Sequence, residues 1–176
     1  IGGGGAERYV SGIDVFKLEL EAIKKVREQY DNLWVMIPFV RTVDEMARTK
    51  KILESVGLKR SDKFKLWMMV EVPSNVVLLD KFLDVGIDGV SIGSNDLTQL
   101  TLGIDRDSEK LAATFDERNE AVMLSIERAV TGCNKRGVTC SICGQAPSVY
   151  PEVTESLVKW GCTSVSVSPD MIGTVY

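Results

Sequence analysis

Short, almost unbroken apolar runs recur along this chain, among them Trp34–Val40 and Trp67–Val72, and such runs are what parallel strands covered on both faces look like. Amphipathic stretches separate them at intervals of roughly 25 to 45 residues, which is the alternation of an α/β domain. The pattern predicts strands at Leu33–Val40, Leu66–Val72, Gly89–Gly93, Val138–Ile142 and Ser164–Val167. It predicts helices at Asp14–Tyr30, Val43–Val56, Asn75–Leu83, Asp116–Arg136 and Pro151–Trp160. In the first helix Val15, Leu18, Ala22 and Val26 recur at helical spacing while Lys17, Glu21, Lys24 and Glu28 stay polar. Gly57 reads as the stop of the second. Ser94–Thr98 reads as a polar loop that runs on irregularly to Ser108.

Five βα units close in two ways, as an open doubly wound sheet or as an arc of a (βα)₈ barrel. A full barrel takes about 250 residues, so 176 residues correspond to a partial barrel of about the last five units. A start without methionine, inside a glycine-rich turn, fits that expectation. An arc leaves two open sheet edges, so either homo-oligomerisation or a further N-terminal portion is expected.

The composition, 44% apolar and 26% charged, is ordinary for a soluble domain. A net charge of −4 without any basic stripe argues against nucleic acid as a partner. No apolar run is long enough to span a bilayer, and Ile1–Ala6 lacks the features of a secretory leader. Histidine is absent, which removes Ser-His-Asp triads, Cys-His pairs and histidine metal ligands. Four cysteines, Cys133, Cys140, Cys143 and Cys162, read as free thiols in a reducing, cytoplasmic setting. Cys140 and Cys143 form a C-x-x-C, but no second pair completes a zinc site, and in a strand the two point to opposite faces. Cys133 and Cys162 read as packing residues, and Trp34, Trp67 and Trp160 as core or helix–sheet contacts.

Three of the runs end in polar residues able to do chemistry: Glu71, Asn95 with Asp96, and Cys143. In parallel βα architectures the carboxyl ends of strands gather at one face, so these residues are expected to share a pocket. An Asn-Asp after a strand is more often a turn or cap. A second carboxylate one βα unit earlier shifts the reading toward a site for a hard cation such as Mg²⁺, which takes its remaining ligands from water and an anionic substrate. Crowded carboxylates without a cation would be pushed up in pKa.

The stretch Val70-Glu71-Val72-Pro73-Ser74-Asn75, the run Ser91–Ser108 with its Gly93-Ser94-Asn95-Asp96-Leu97-Thr98-Gln99-Leu100 and Asp105-Arg106-Asp107-Ser108, and Ile142-Cys143-Gly144-Gln145 resemble the family of phosphoenolpyruvate (PEP)-utilising enzymes. Met36–Thr42 and Phe115–Asn119 carry the likeness further, in the family's order. The resemblance implies the C-terminal pyruvate/PEP-binding TIM barrel, with residues 1–176 as a fragment of it and the swivelling phosphohistidine and ATP-binding domains absent. By the same resemblance Glu71 and Asp96 hold Mg²⁺ or Mn²⁺, which pyruvate or PEP chelates. Gly93, Ser94, Asn95 and Asp96 then contact the substrate, Arg106 faces the transferring phosphoryl group, and Cys143 is the acid/base at the methyl carbon. The phosphoryl donor is a phosphohistidine on another domain, charged from ATP, which agrees with a chain lacking histidine.

Within the family the likeness is greatest to the branch that makes PEP from pyruvate, ATP and water. Branches that use inorganic phosphate or a phosphocarrier protein are the alternatives, and a non-catalytic truncated barrel used for assembly is the rival from outside enzymology. Family members carry an arginine in a Gly-aromatic-Arg-Gly just before Arg-Tyr, whereas Gly4 stands at that place here, ahead of Arg8-Tyr9. Alone, the chain is not expected to complete the reaction.

Overall fold

A computed structural model describes residues 4–105 and 114–175. It contains a five-stranded sheet whose order is the order in sequence, β1-β2-β3-β4-β5, and every neighbouring pair is parallel. The strands are β1 (Val35–Ile37), β2 (Leu66–Val70), β3 (Gly89–Gly93), β4 (Thr139–Cys143) and β5 (Ser164–Val165). A doubly wound sheet reverses its order at a switch point. Here none occurs, so the chain winds one way and forms an arc of a (βα)₈ barrel.

Ten α-helices are present among the described residues: α1 (Ala6–Ser11), α2 (Ile13–Arg27), α3 (Val43–Ser55), α4 (Pro73–Val77), α5 (Leu79–Asp84), α6 (Ser94–Leu102), α7 (Glu120–Lys135), α8 (Ala146–Val149), α9 (Pro151–Trp160) and α10 (Ile172–Val175). None is long and apolar enough to cross a membrane. Local chemistry sets several boundaries. Thr42 accepts the Glu45 N–H at 3.1 Å while the Glu45 carboxylate accepts the Thr42 N–H at 3.4 Å, a reciprocal cap that starts α3. Gly57, at φ +92°, provides the left-handed turn just beyond its end.

Helical expectations change at three places, and the first is α7: predicted from Asp116, it starts at Glu120 because Asn119 caps it by accepting from the Ala121 N–H at 3.0 Å. The predicted Asn75–Leu83 helix begins earlier, because Pro73 takes the first helical position, and Leu78 breaks it into α4 and α5. Ser94–Thr98 is no loop but the start of α6. Its polar first turn directly follows Gly93, while Leu97 and Thr98 are fully buried against the fold, and Gly103, at φ +64°, ends it.

The two faces of the sheet differ. Leu66, Met68 and Val70, Val90 and Ile92, and Cys140 and Ile142 are buried in the main core with residues of the surrounding helices. The register Met69↔Ser91↔Ser141 and Gly93↔Cys143 puts odd-numbered residues of these strands on the opposite face, which would line a barrel's interior. That face is open. Trp34 is 48% and Met36 45% exposed, and a concavity of about 270 Å³ lies between Trp34, Met36, Trp67, Ser91, Ser141 and Ser166. Trp34 and Trp67 therefore sit on the interior side and are not helix–sheet contacts; Trp160 does pack on the core. Glycine at position 89 allows Trp67 to lie across β3, since a Cβ there would come within 2.5 Å of the indole.

Candidate functional site

The residues picked out from the sequence gather at the carboxyl end of the sheet. Glu71 directly follows β2 on the interior side and is only 3% exposed. Glycine at position 93 makes room for it, because a Cβ there would fall 2.6 Å from Glu71 Oε2. Asp96, in the first turn of α6, faces it closely enough for its charge to act on the Glu71 carboxyl. Burial, then that repulsion, raises Glu71 to about 7, against the opposing pull of the Phe39 N–H.

The Phe39 N–H donates to Glu71 Oε1 at 2.5 Å. Phe39 is the one non-glycine at positive φ among the described residues, at +48°. Such a conformation persists only where surroundings impose it, and they do so here. The Phe39 carbonyl accepts from Ala6 N–H at 3.3 Å, and Gly5 lies so close that a Cβ would come within 2.5 Å of Phe39. The Arg41 guanidinium stacks 4.7 Å from the Phe39 ring and donates to the Gly4 carbonyl at 3.0 Å. Gly4 itself has nothing within 4 Å of a Cβ position.

Asn75, fully buried, joins two strand ends. Its Oδ1 accepts from the N–H groups of Glu71 at 3.2 Å and Val72 at 2.9 Å, and its Nδ2 donates to the Val40 carbonyl at 2.7 Å. Ser74 Oγ adds a bond to the Arg41 carbonyl at 2.7 Å.

On the other side, β4 delivers Cys143. Ser91 Oγ donates to Cys143 Sγ at 3.4 Å, and Ser94 Oγ donates to the Cys143 carbonyl at 3.2 Å. Asn95 Oδ1 accepts from Gln145 N–H at 3.3 Å. Gly144, at φ +109°, makes this approach possible, for a Cβ there would fall 2.2 Å from Ser94 Oγ. Cys140 faces the core, so the C-x-x-C is divided between the two sides of the sheet. Among the described residues no group of three or more His, Cys, Asp or Glu could hold a metal ion. Two carboxylates alone match a cation that draws its other ligands from water and substrate.

Ser94, Asn95 and Asp96 occupy the first turn of α6, which has no side-chain cap. Its leading N–H groups therefore add positive potential beside the carboxylates, a setting that favours an anion. Arg106 lies outside the described residues. Arg118 is ion-paired with Asp116 at 3.0 Å and Glu152 at 3.4 Å and stacks on Tyr150. Residue chemistry alone did not point to Phe39, Asn75 or Ser91. Their one visible signal was position: Phe39, Asn75 and Ser91 fall in Met36–Thr42, Val70–Asn75 and Ser91–Ser108, the stretches that carry the family resemblance.

The chain matches the PEP-binding domain of PEP-utilising enzymes over residues 1–175. It is similar to phosphoenolpyruvate synthase of Aeropyrum pernix, 54% identical over 98% of this chain and 22% of that protein. Phosphoenolpyruvate synthase of Helicobacter pylori is 49% identical over 96% of the chain and 21% of its own length. The chain thus spans about a fifth of the length of the curated relatives it matches. In fold it resembles an aldolase/citrate lyase family protein from Burkholderia cenocepacia, with TM-score 0.58 and 18% identity over 78% of this chain and 58% of that one. RipC from Yersinia pestis superimposes at TM-score 0.55 with 14% identity, covering 81% of this chain and 61% of that one. The sequence match, running through both carboxylate-bearing strand ends and the thiol-bearing one, makes this chain a member of the PEP-utilising enzyme family, within its PEP-binding domain.

Proposed function

We propose that the chain forms the pyruvate/PEP-binding site of a phosphoenolpyruvate synthase (pyruvate, water dikinase). In the reaction a phosphoryl group passes from a phosphohistidine, formed from ATP on other domains, to the enolate oxygen of pyruvate. The observation that carries this reading is the buried Glu71 carboxyl with the half-buried Asp96 carboxyl facing it at the strand ends. Two carboxyl groups facing each other at a water-poor strand end are unfavourable unless a cation compensates them, so the pair fits Mg²⁺, or Mn²⁺. When bound, the cation supplies Lewis-acid stabilisation of negative charge on the substrate's oxygens.

The chain's own residues do the rest. The uncapped first turn of α6 offers N–H groups to the substrate carboxylate. Asn95, with its oxygen engaged by Gln145, presents its NH₂ end to a substrate oxygen. Cys143 transfers a proton at the methyl carbon: in the direction of PEP synthesis it removes one from pyruvate, and in reverse it returns one. Ser91 donates to that sulfur and so supports it when it carries negative charge. Arg106 would spread the charge that develops on the transferring phosphoryl group.

The test is an assay of the full-length protein with pyruvate, ATP and Mg²⁺, following PEP, AMP and phosphate. PEP formation that needs no inorganic phosphate and is lost in Asp96→Asn supports the proposal. A requirement for inorganic phosphate identifies a pyruvate, phosphate dikinase, and phosphoryl transfer to a carrier protein identifies a phosphotransferase-system enzyme I. No enolisation of pyruvate by a folded protein identifies a non-catalytic barrel.

A further inference from the structure

Three cysteines outside the site converge behind β4. Cys133 lies near the end of α7, Cys140 on the core side of β4, and Cys162 in the turn into β5. Cys133 and Cys140 are fully buried, whereas Cys162 is partly exposed. The backbone holds the last two together. The Cys140 carbonyl accepts from Thr163 N–H at 2.8 Å, the Cys140 N–H donates to Thr163 Oγ1 at 3.2 Å, and Cys162 Sγ sits 3.4 Å from the same Cys140 carbonyl. The Cys140 thiol interacts with both the Cys133 and the Cys162 thiols. All four cysteines are free.

We propose that Cys162 and Cys140 form a reversible redox-modification site that takes a hydroperoxide as oxidant and closes a disulfide between β4 and the turn before β5. Cys162 is the attacking thiol because it alone of the three reaches solvent. The hydrogen bond from Cys140 also lowers it to about 7, despite partial burial. Hydrogen bonding to Cys133 and Cys162, reinforced by burial, raises Cys140, which stays protonated.

The chemistry balances in two steps. The Cys162 thiolate attacks a peroxide oxygen: an S–O bond forms, the O–O bond breaks, and the alkoxide leaves as an alcohol, giving a sulfenic acid. The Cys140 sulfur then attacks the sulfenic sulfur, the S–S bond forms, the S–O bond breaks, and hydroxide leaves with the Cys140 proton as water. Net, two thiols and one hydroperoxide give a disulfide, an alcohol and water. A pair of this kind suits a transient role in a reducing compartment.

The experiment treats the reduced full-length protein with an alkyl hydroperoxide, blocks the remaining thiols and maps tryptic peptides by mass spectrometry. Cleavage after Arg136 and Lys159 separates Cys140 from Cys162, and fragmentation between Cys140 and Cys143 assigns the partner. The expected result is a Cys140–Cys162 linked peptide, lighter by two hydrogens than its parts, that dithiothreitol dissolves and that Cys162→Ser lacks. Circular dichroism checks that this variant folds, and the wild-type map decides the question even where it does not. A Cys133–Cys140 bridge, a bridge to Cys143, or over-oxidised thiols without any bridge would overturn the assignment.

Discussion

The Asn75 carboxamide holds the backbone of Glu71 by its N–H, at 3.2 Å, and through Nδ2 ties it to the Val40 carbonyl at the end of the neighbouring strand. The acidic side chain is thereby aimed by a neutral one that touches no solvent. Replacing Asn75 with the isosteric leucine strands the Glu71 and Val72 N–H groups and the Val40 carbonyl. Unfolding in urea is expected to show a loss on the order of 3 kcal/mol. Asn75→Asp keeps both acceptor bonds but sets a carboxyl oxygen against the Val40 carbonyl, so the buried acid keeps this place only by taking up a proton and donating it there. Mn²⁺ binding in the presence of oxalate, read by electron paramagnetic resonance, should fall more in the leucine variant than in the aspartate one.

Stability in the absence of divalent cations should depend on pH through Glu71. Its folded value is raised from 4.5 to about 7, so the folded state holds the proton more tightly than the unfolded chain does. The contribution is complete below pH 4.5 and is lost as pH rises through 7. At about 1.4 kcal/mol per unit, the decline across this window is on the order of 3 kcal/mol. Glu71→Gln should flatten the profile, and added Mg²⁺ should restore the wild type at pH 8. A wild-type curve that stays level between pH 4.5 and 8 contradicts the buried Glu71 carboxyl.

Two glycine substitutions probe the approach of neighbouring units. Gly93→Ala places a methyl 2.6 Å from Glu71 Oε2, and Gly144→Ala places one 2.2 Å from Ser94 Oγ at a φ of +109°. Each should weaken Mg²⁺-dependent oxalate binding in calorimetry by tenfold or more, about 1.4 kcal/mol, and Gly144→Ala should also unfold earlier. Gly4→Ala, which meets nothing, serves as the control and should match the wild type.

Proton exchange at the methyl group of pyruvate isolates the task proposed for the Cys143 thiol from phosphoryl transfer. Cys143→Ala is expected to slow it by about 100-fold or more. Ser91→Ala, which removes one hydrogen bond to that sulfur, should slow it about tenfold. Equal rates in wild type and Cys143→Ala would assign the proton to another group.

Much of this arrangement was legible before any coordinates. The five strands were, since apolar runs between amphipathic stretches are a strong signal, and so was the convergence of Glu71, Asp96 and Cys143, which follows from parallel winding alone. The side of the sheet each residue faces was not, because runs such as Trp67–Val72 are apolar at both parities and carry no alternation. Neither was α6: Ser94, Asn95 and Asp96 are the commonest turn and cap residues, and only burial of Leu97 and Thr98 turns them into a helix. Phe39 escaped notice for a different reason. Its contribution is a backbone N–H aimed by an unusual φ, and no residue type announces that.

The strand order gives the site a property of its own. Phe39 bonds to Glu71, Asp96 faces Glu71, Ser94 bonds to the last residue of β4, and Asn95 bonds to Gln145 just beyond it. Every one of these links joins one βα unit to the next, and none skips a unit. A change at one strand end is thus felt mainly by its immediate neighbours, and the first turn of α6, which sets Asp96 toward Glu71 and Ser94 toward Cys143, is where the carboxylate side and the thiol side of the site meet. The same arc could exchange one chemical specialty for another by altering a single loop, while the remaining units kept their geometry.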